Sequence, residues 1–155
     1  MLVQRYEKGD DGSKKVIYDL YLESTEYINN WDLVDLSAGK IVGPYLRDRA
    51  RRPLYRLAKS KNLWERRIAI LSTFHYIKNH DFMDTLAVAG LLLEDEEDLI
   101  RKAVGWMLRE VGKRDRGVAE RFLRAHYQSM PRTMLRYAIE RFPESKRKKY
   151  LNGKI

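Results

Sequence analysis

The chain has 155 residues, 44% of them hydrophobic, enough for one domain with a real core and too apolar for a globally disordered protein. It contains no cysteine, which excludes disulfides, thiolate metal sites and cysteine nucleophiles, and no apolar run approaches the roughly 20 residues of a membrane-spanning helix. Thirty-one Lys and Arg against 22 Asp and Glu leave a net charge of +9, so a polyanion is the natural partner, although a merely basic soluble surface has the same composition.

The N-terminus has no signal-peptide pattern, and with the absence of cysteine this leads to the expectation of a cytoplasmic protein without a membrane partner. Met1 to Tyr6 reads as the end of a helix without a beginning, as though a preceding repeat were absent. Ser13 is placed to cap a helix running to about Ile28. Asn30 caps the next, which begins at Trp31 and is open to interruption near Gly39. Pro53 suits the first turn of a short helix, and Asn62 precedes a long one from Leu63 to about Lys78. Asp81 opens a helix ending near Leu93. Further helices are expected from about Glu97 to Lys113, from about Asp115 to Ser129, from Pro131 to near Phe142, and from Pro143 onward. Strand signals are scarce.

A weak internal repeat accompanies these helices. Arg67-Ile68-Ala69-Ile70 aligns with Ala103-Val104-Gly105-Trp106 and again with Arg136-Tyr137-Ala138-Ile139, and each copy has a small residue third. A spacing in the mid-thirties is that of stacked antiparallel helix pairs, an all-α solenoid of the HEAT or TPR type, with a plain helical bundle as the alternative. The charge is uneven as well. Arg47 to Arg67 holds nine Lys and Arg against two acidic residues, Pro131 to the end holds eight against two, and Glu94 to Asp98 is wholly acidic.

Two charges fall on apolar faces. In the helix from Leu63 the stripe Leu63, Ile70, Phe74, Ile77 is broken by Arg67. In the helix from Trp31 the stripe Trp31, Ala38, Val42, Tyr45 is broken by Asp35. An unpaired buried charge is costly, so each must find a partner or face a wet cleft. One reading is an Asp35–Arg67 ion pair that only fixes helix stacking. The other is a functional cleft holding a carboxylate, a guanidinium and the indoles of Trp31, Trp64 and Trp106. The three histidines lack the spacing of a metal-binding pair, and neither a glycine-rich phosphate loop nor a GxSxG nucleophile motif is present, so no metal and no cofactor are expected.

Asn30 to Ala38, Leu63 to Ile70, Lys102 to Glu110 and Met130 to Glu140 together resemble, in order, the signature segments of the DNA alkylation repair family, the HEAT-like-repeat alkylpurine DNA glycosylases. The likeness runs from about Val3 to Ile155. The resemblance implies one domain over residues 1–155, shortened at its N-terminus relative to other members. It implies removal of cationic N3- or N7-alkylated purines from duplex DNA without drawing the base into a pocket. By motif, Asp35 would be the catalytic carboxylate, Trp31 and Trp106 would pack on the sugar-phosphate of the lesion, and Arg67 would hold a phosphate and orient the cleft. Arg66, Lys102, Arg109, Arg132 and Arg136 are the expected DNA-backbone contacts. The alternatives are a DNA-binding module without turnover and a protein-interaction scaffold. An exposed N-terminal edge would leave room for a second copy of the chain.

Overall fold

A computed structural model describes all 155 residues and contains eleven α-helices, one 3-10 turn and no strand. In chain order they are α1 (Leu2–Lys8), α2 (Asp11–Glu23), α3 (Trp31–Leu46), α4 (Arg52–Ala58), α5 (Leu63–Ser72), α6 (Phe74–Lys78), α7 (Met83–Leu91), α8 (Asp98–Arg114), α9 (Arg116–His126), α10 (Arg132–Ala138) and α11 (Glu144–Leu151). The 3-10 turn, Thr25–Tyr27, lies between α2 and α3. The all-α, solenoid-like architecture expected from the repeat is the one observed.

Local chemistry explains most boundaries. Asn30 accepts a bond from the Asp32 amide, Asn62 from Trp64 and Asp115 from Val118, so these three side chains start α3, α5 and α9. At α2 the cap is Asp10 rather than Ser13, because the Asp10 carboxylate, on the residue before the helix, reaches forward and accepts from the Ser13 amide at 2.8 Å. That helix stops at Glu23, not Ile28. Helix α3 runs unbroken through Gly39 and even through Pro44, ending at Leu46. The single helix expected from Leu63 to Lys78 is divided at Thr73. The hydroxyls of Ser72 and Thr73 both bond carbonyls one turn back, on Ile68 and Ile70, and compete there with the helical ladder. Beyond α6, His80 takes the left-handed conformation (φ 58°), and the amides of His80 and Asp81 close back onto the Ile77 and Tyr76 carbonyls.

The helices pack in two rows. An inner row, α3, α5–α6, α8 and α10, is built by successive contacts of α3 with α5 and α6, of both with α8, and of α8 with α10. Outer helices back it: α2 on α3, α4 on α5, α7 and α9 on α8, and α11 on α10. One continuous cluster of 39 buried apolar residues runs between the rows. Inner helices approach closely at two glycines. A methyl group on Gly43 would lie 2.5 Å from the Ser72 carbonyl oxygen, and one on Gly105 would lie 2.5 Å from Tyr137 Cβ and 2.6 Å from the Met134 carbonyl oxygen. The small third residue of the sequence repeat is thus a packing requirement at Gly105. At the α1–α3 end, Leu20, Tyr27, Leu33 and Leu36 stay exposed beside an apolar groove of about 370 Å³.

Candidate functional site

The inner row carries a cleft of about 380 Å³, lined from α3, α5, α8 and α10. Helix α3 supplies Trp31 and Asp35, α5 supplies Arg67, α8 supplies Lys102, Trp106 and Arg109, and α10 supplies Tyr137. The four residues expected to do chemistry, Asp35, Trp31, Trp106 and Arg67, therefore meet in one place.

The two out-of-phase charges pair. Arg67 Nε donates to one Asp35 carboxylate oxygen and Arg67 Nη2 to the other, both at 3.0 Å, a bidentate fork. The remaining nitrogen, Nη1, donates to the Leu99 carbonyl at the start of α8. Arg67 is thus tied to two neighbouring inner helices and is 6% exposed. Asp35 is less enclosed, its side chain 20% exposed toward the cleft. The stacking pair and the wet cleft, alternatives on sequence grounds, coexist here: the guanidinium is the buried structural half and the carboxylate the accessible half.

The indoles differ. Trp31, at the first position of α3, stands 51% exposed at the cleft rim. Trp106 is held more firmly, its ring centroid 5.9 Å from that of Phe74 with the planes tilted by 50°. Trp64 does not join them, since its side chain packs against the hydrophobic core instead.

The expected backbone contacts divide. Lys102 and Arg109 line the cleft. Lys102 pairs with Asp98 at 3.1 Å, which raises its pKa, and Arg109 pairs with Glu140 while its Nε lies buried without a partner. The cleft walls thus carry three cations against the single carboxylate of Asp35. Arg66 is elsewhere: it forks onto Asp95 at 2.7 and 3.3 Å and bonds the Ser60 and Lys61 carbonyls at 3.0 Å. It clasps the acidic turn before α8 through Asp95. Arg132 donates to the Leu151 carbonyl and fixes the C-terminal helix. Arg136 lies exposed on α10 without an ion partner. Tyr137 and Leu99 line the cleft although no sequence signal singled them out. Tyr137 reaches it because Gly105 lets α10 close on α8.

No cluster of three or more His, Asp or Glu side chains is arranged to hold a metal ion. His75 is kept below its ordinary pKa by burial and then by Arg47, Lys78 and Arg51 nearby.

A family model described as "DNA alkylation repair enzyme" matches residues 1–142. No curated protein and no solved structure matches the chain.

Proposed function

The chain belongs to the family of DNA alkylation repair enzymes, and from that premise we propose that it is a DNA glycosylase releasing cationic N3- or N7-alkylated purines from duplex DNA. The observation that carries this reading is the Asp35 carboxylate, fixed by the Arg67 fork in an open cleft between Trp31 and Trp106.

An alkylated purine already bears positive charge, so its departure needs little acid catalysis. The C1′–N bond breaks, its electron pair leaves with the purine and neutralises it, and positive charge passes to the sugar. A preorganised carboxylate stabilises that oxocarbenium character and positions the water whose oxygen bonds to C1′ and whose proton is lost to Asp35 or solvent. The indole faces of Trp31 and Trp106 favour the same developing cation. Arg67 acts through Asp35 as a positioning residue. Lys102 and Arg109 supply charge for the flanking phosphates, with Arg136 farther along α10. The base itself stays outside the cleft, and residues 1–155 form the one domain that carries these groups.

The test is release of 3-methyladenine or 7-methylguanine from methylated duplex DNA. The wild type releases base, and Asp35→Asn is slower by about a hundredfold or more, the scale of losing one preorganised electrostatic group. Failure of the wild type at protein concentrations that saturate the DNA overturns the proposal. A second reading, a DNA-binding module without turnover, is favoured by one observation: both Asp35 oxygens already accept from Arg67. That reading requires DNA binding with no release by either protein.

A further inference from the structure

The α1–α3 end differs in kind from the rest of the molecule. From Met1 to Leu46 there are five Lys and Arg against eight Asp and Glu, a balance of −3, whereas the remaining 26 against 14 carry +12. Eight of the eleven large apolar side chains that stay exposed also lie before Lys40. Six of them, Met1, Leu2, Leu20, Tyr27, Leu33 and Leu36, line the apolar groove. Tyr21 and Ser37, bonded to each other at 2.7 Å, tie its α2 wall to its α3 wall. The exposed parts of the six amount to roughly 700 Å², above the ~300–600 Å² of the largest apolar patch on a typical monomer and close to the ~800 Å² that each partner buries in a standard-size interface.

The α3 surface beside the groove is self-complementary. Asp32, Leu36 and Lys40 follow one another at intervals of four residues and so form one ridge along the helix. All three are exposed, and neither charge has an ion partner within the chain. A two-fold axis through Leu36 lays this ridge antiparallel to its copy. Leu36 then meets Leu36, and each Asp32, ~6 Å from the axis along the helix, faces the partner's Lys40. A partner of one charge sign would satisfy only one end of the ridge. Contact through this end also keeps the two strongly basic bodies apart, where contact elsewhere would press them together. Groove and cleft do not compete, since Asp35 lies about 160° round the α3 axis from both Leu33 and Ser37.

We propose that the apolar α1–α3 end is the interface of an isologous homodimer, in which the groove and the Asp32–Leu36–Lys40 ridge pack against those of a second copy. Both clefts stay open in the pair. The inference stands apart from the proposed reaction, because neither the interface nor its test involves DNA.

Sedimentation equilibrium of the wild type and of Leu36→Glu is the first measurement. Leu36 is 62% exposed in the single chain, so the variant is expected to keep the helical circular dichroism of the wild type. The wild type should sediment as a dimer with a dissociation constant of ~1 µM or tighter. Leu36→Glu, which sets two like charges against each other at the axis, should weaken that dimer by about a hundredfold or more. The chain has no cysteine, so Leu36→Cys supplies a second readout. Mild oxidation should link two copies of it through the one thiol, while Met83→Cys, still more exposed but on α7, should not be linked. A wild type that stays monomeric at ~100 µM hands the groove to a different occupant and overturns the proposal. A dimer that survives Leu36→Glu places the interface elsewhere and overturns it too. Association beyond the dimer, or no more cross-linking of Leu36→Cys than of Met83→Cys, refutes the two-fold at Leu36 and the proposal with it.

Discussion

Replacing Arg67 by Met keeps an unbranched, flexible stem but ends it before the guanidinium, and so removes the three hydrogen-bonded nitrogens. Two of the bonds are charge-assisted contacts to Asp35 and the third satisfies the Leu99 carbonyl. Breaking a buried pair by removing one partner typically costs ~3–5 kcal/mol. Asp35 is one-fifth exposed and recovers part of its hydration, so the loss expected is about 3 kcal/mol, or ~6–12 °C in melting temperature for a domain of this size. The double variant Arg67→Met/Asp35→Asn leaves no orphaned charge and is expected to be more stable than the sum of the two singles by about 1–2 kcal/mol. Urea denaturation of the four proteins with a common m-value measures the cycle. A single-variant loss below about 1 kcal/mol, or strict additivity in the cycle, would refute the view that the fork holds the carboxylate in place.

Two other outcomes follow from features away from the cleft. His80→Gly relieves a left-handed residue that has no glycine, and thermal melting should register a gain of about 1 kcal/mol; a loss would mean that the His80 side chain has a stabilising contact that outweighs the strain. Burial pushes the Glu110 carboxyl up, but Lys113 and Arg114 outweigh it and hold it below the usual range; Lys146 and Arg116 do the same for Glu120. Depressed carboxylate pKa values contribute stability that is complete above the unfolded value and is lost as pH falls through the folded one. Stability should therefore drop as pH is lowered through about 4.5 and below, and Glu110→Gln/Glu120→Gln should be less stable at neutral pH with a flatter acid limb. Parallel acid limbs in urea melts would contradict that account.

The parts of the fold that were legible in the sequence are those set within one turn of chain. Asn30 caps its helix as read, and the helix starts read near Asn62 and Asp115 coincide with side-chain caps, whereas the cap read at Ser13 falls to Asp10. The break at Thr73 was not legible, because hydroxyl back-bonding is one of several things Ser72-Thr73 could do inside a helix. The candidate site was legible through an inconsistency: Asp35 and Arg67 are polar where their helices demand apolar residues, and a fork between them resolves it. Arg66 and Arg132 were read differently because their partners, Asp95 and the Leu151 carbonyl, lie 29 and 19 residues away. A basic residue looks the same in sequence whether it is free or committed. Trp64 failed for a related reason: three residues before Arg67 it lies about 60° round the helix axis, and there its side chain packs against the core instead of the cleft.

The close approach at Gly43 and Gly105 sets a gauge. The atoms that meet these two positions include backbone carbonyls, which cannot swing aside as a long side chain can. Two joints of the inner row, α3 with α5–α6 and α8 with α10, are therefore gauged by absent methyl groups. Trp106 and Tyr137, which line the cleft from α8 and α10, inherit the separation that Gly105 sets. Side chains along these helices can be exchanged to alter what the cleft favours, while the distance over which a substrate must fit stays constant. On the proposed function, such a cleft would select its partner by measurement, accepting a backbone that already has the right width.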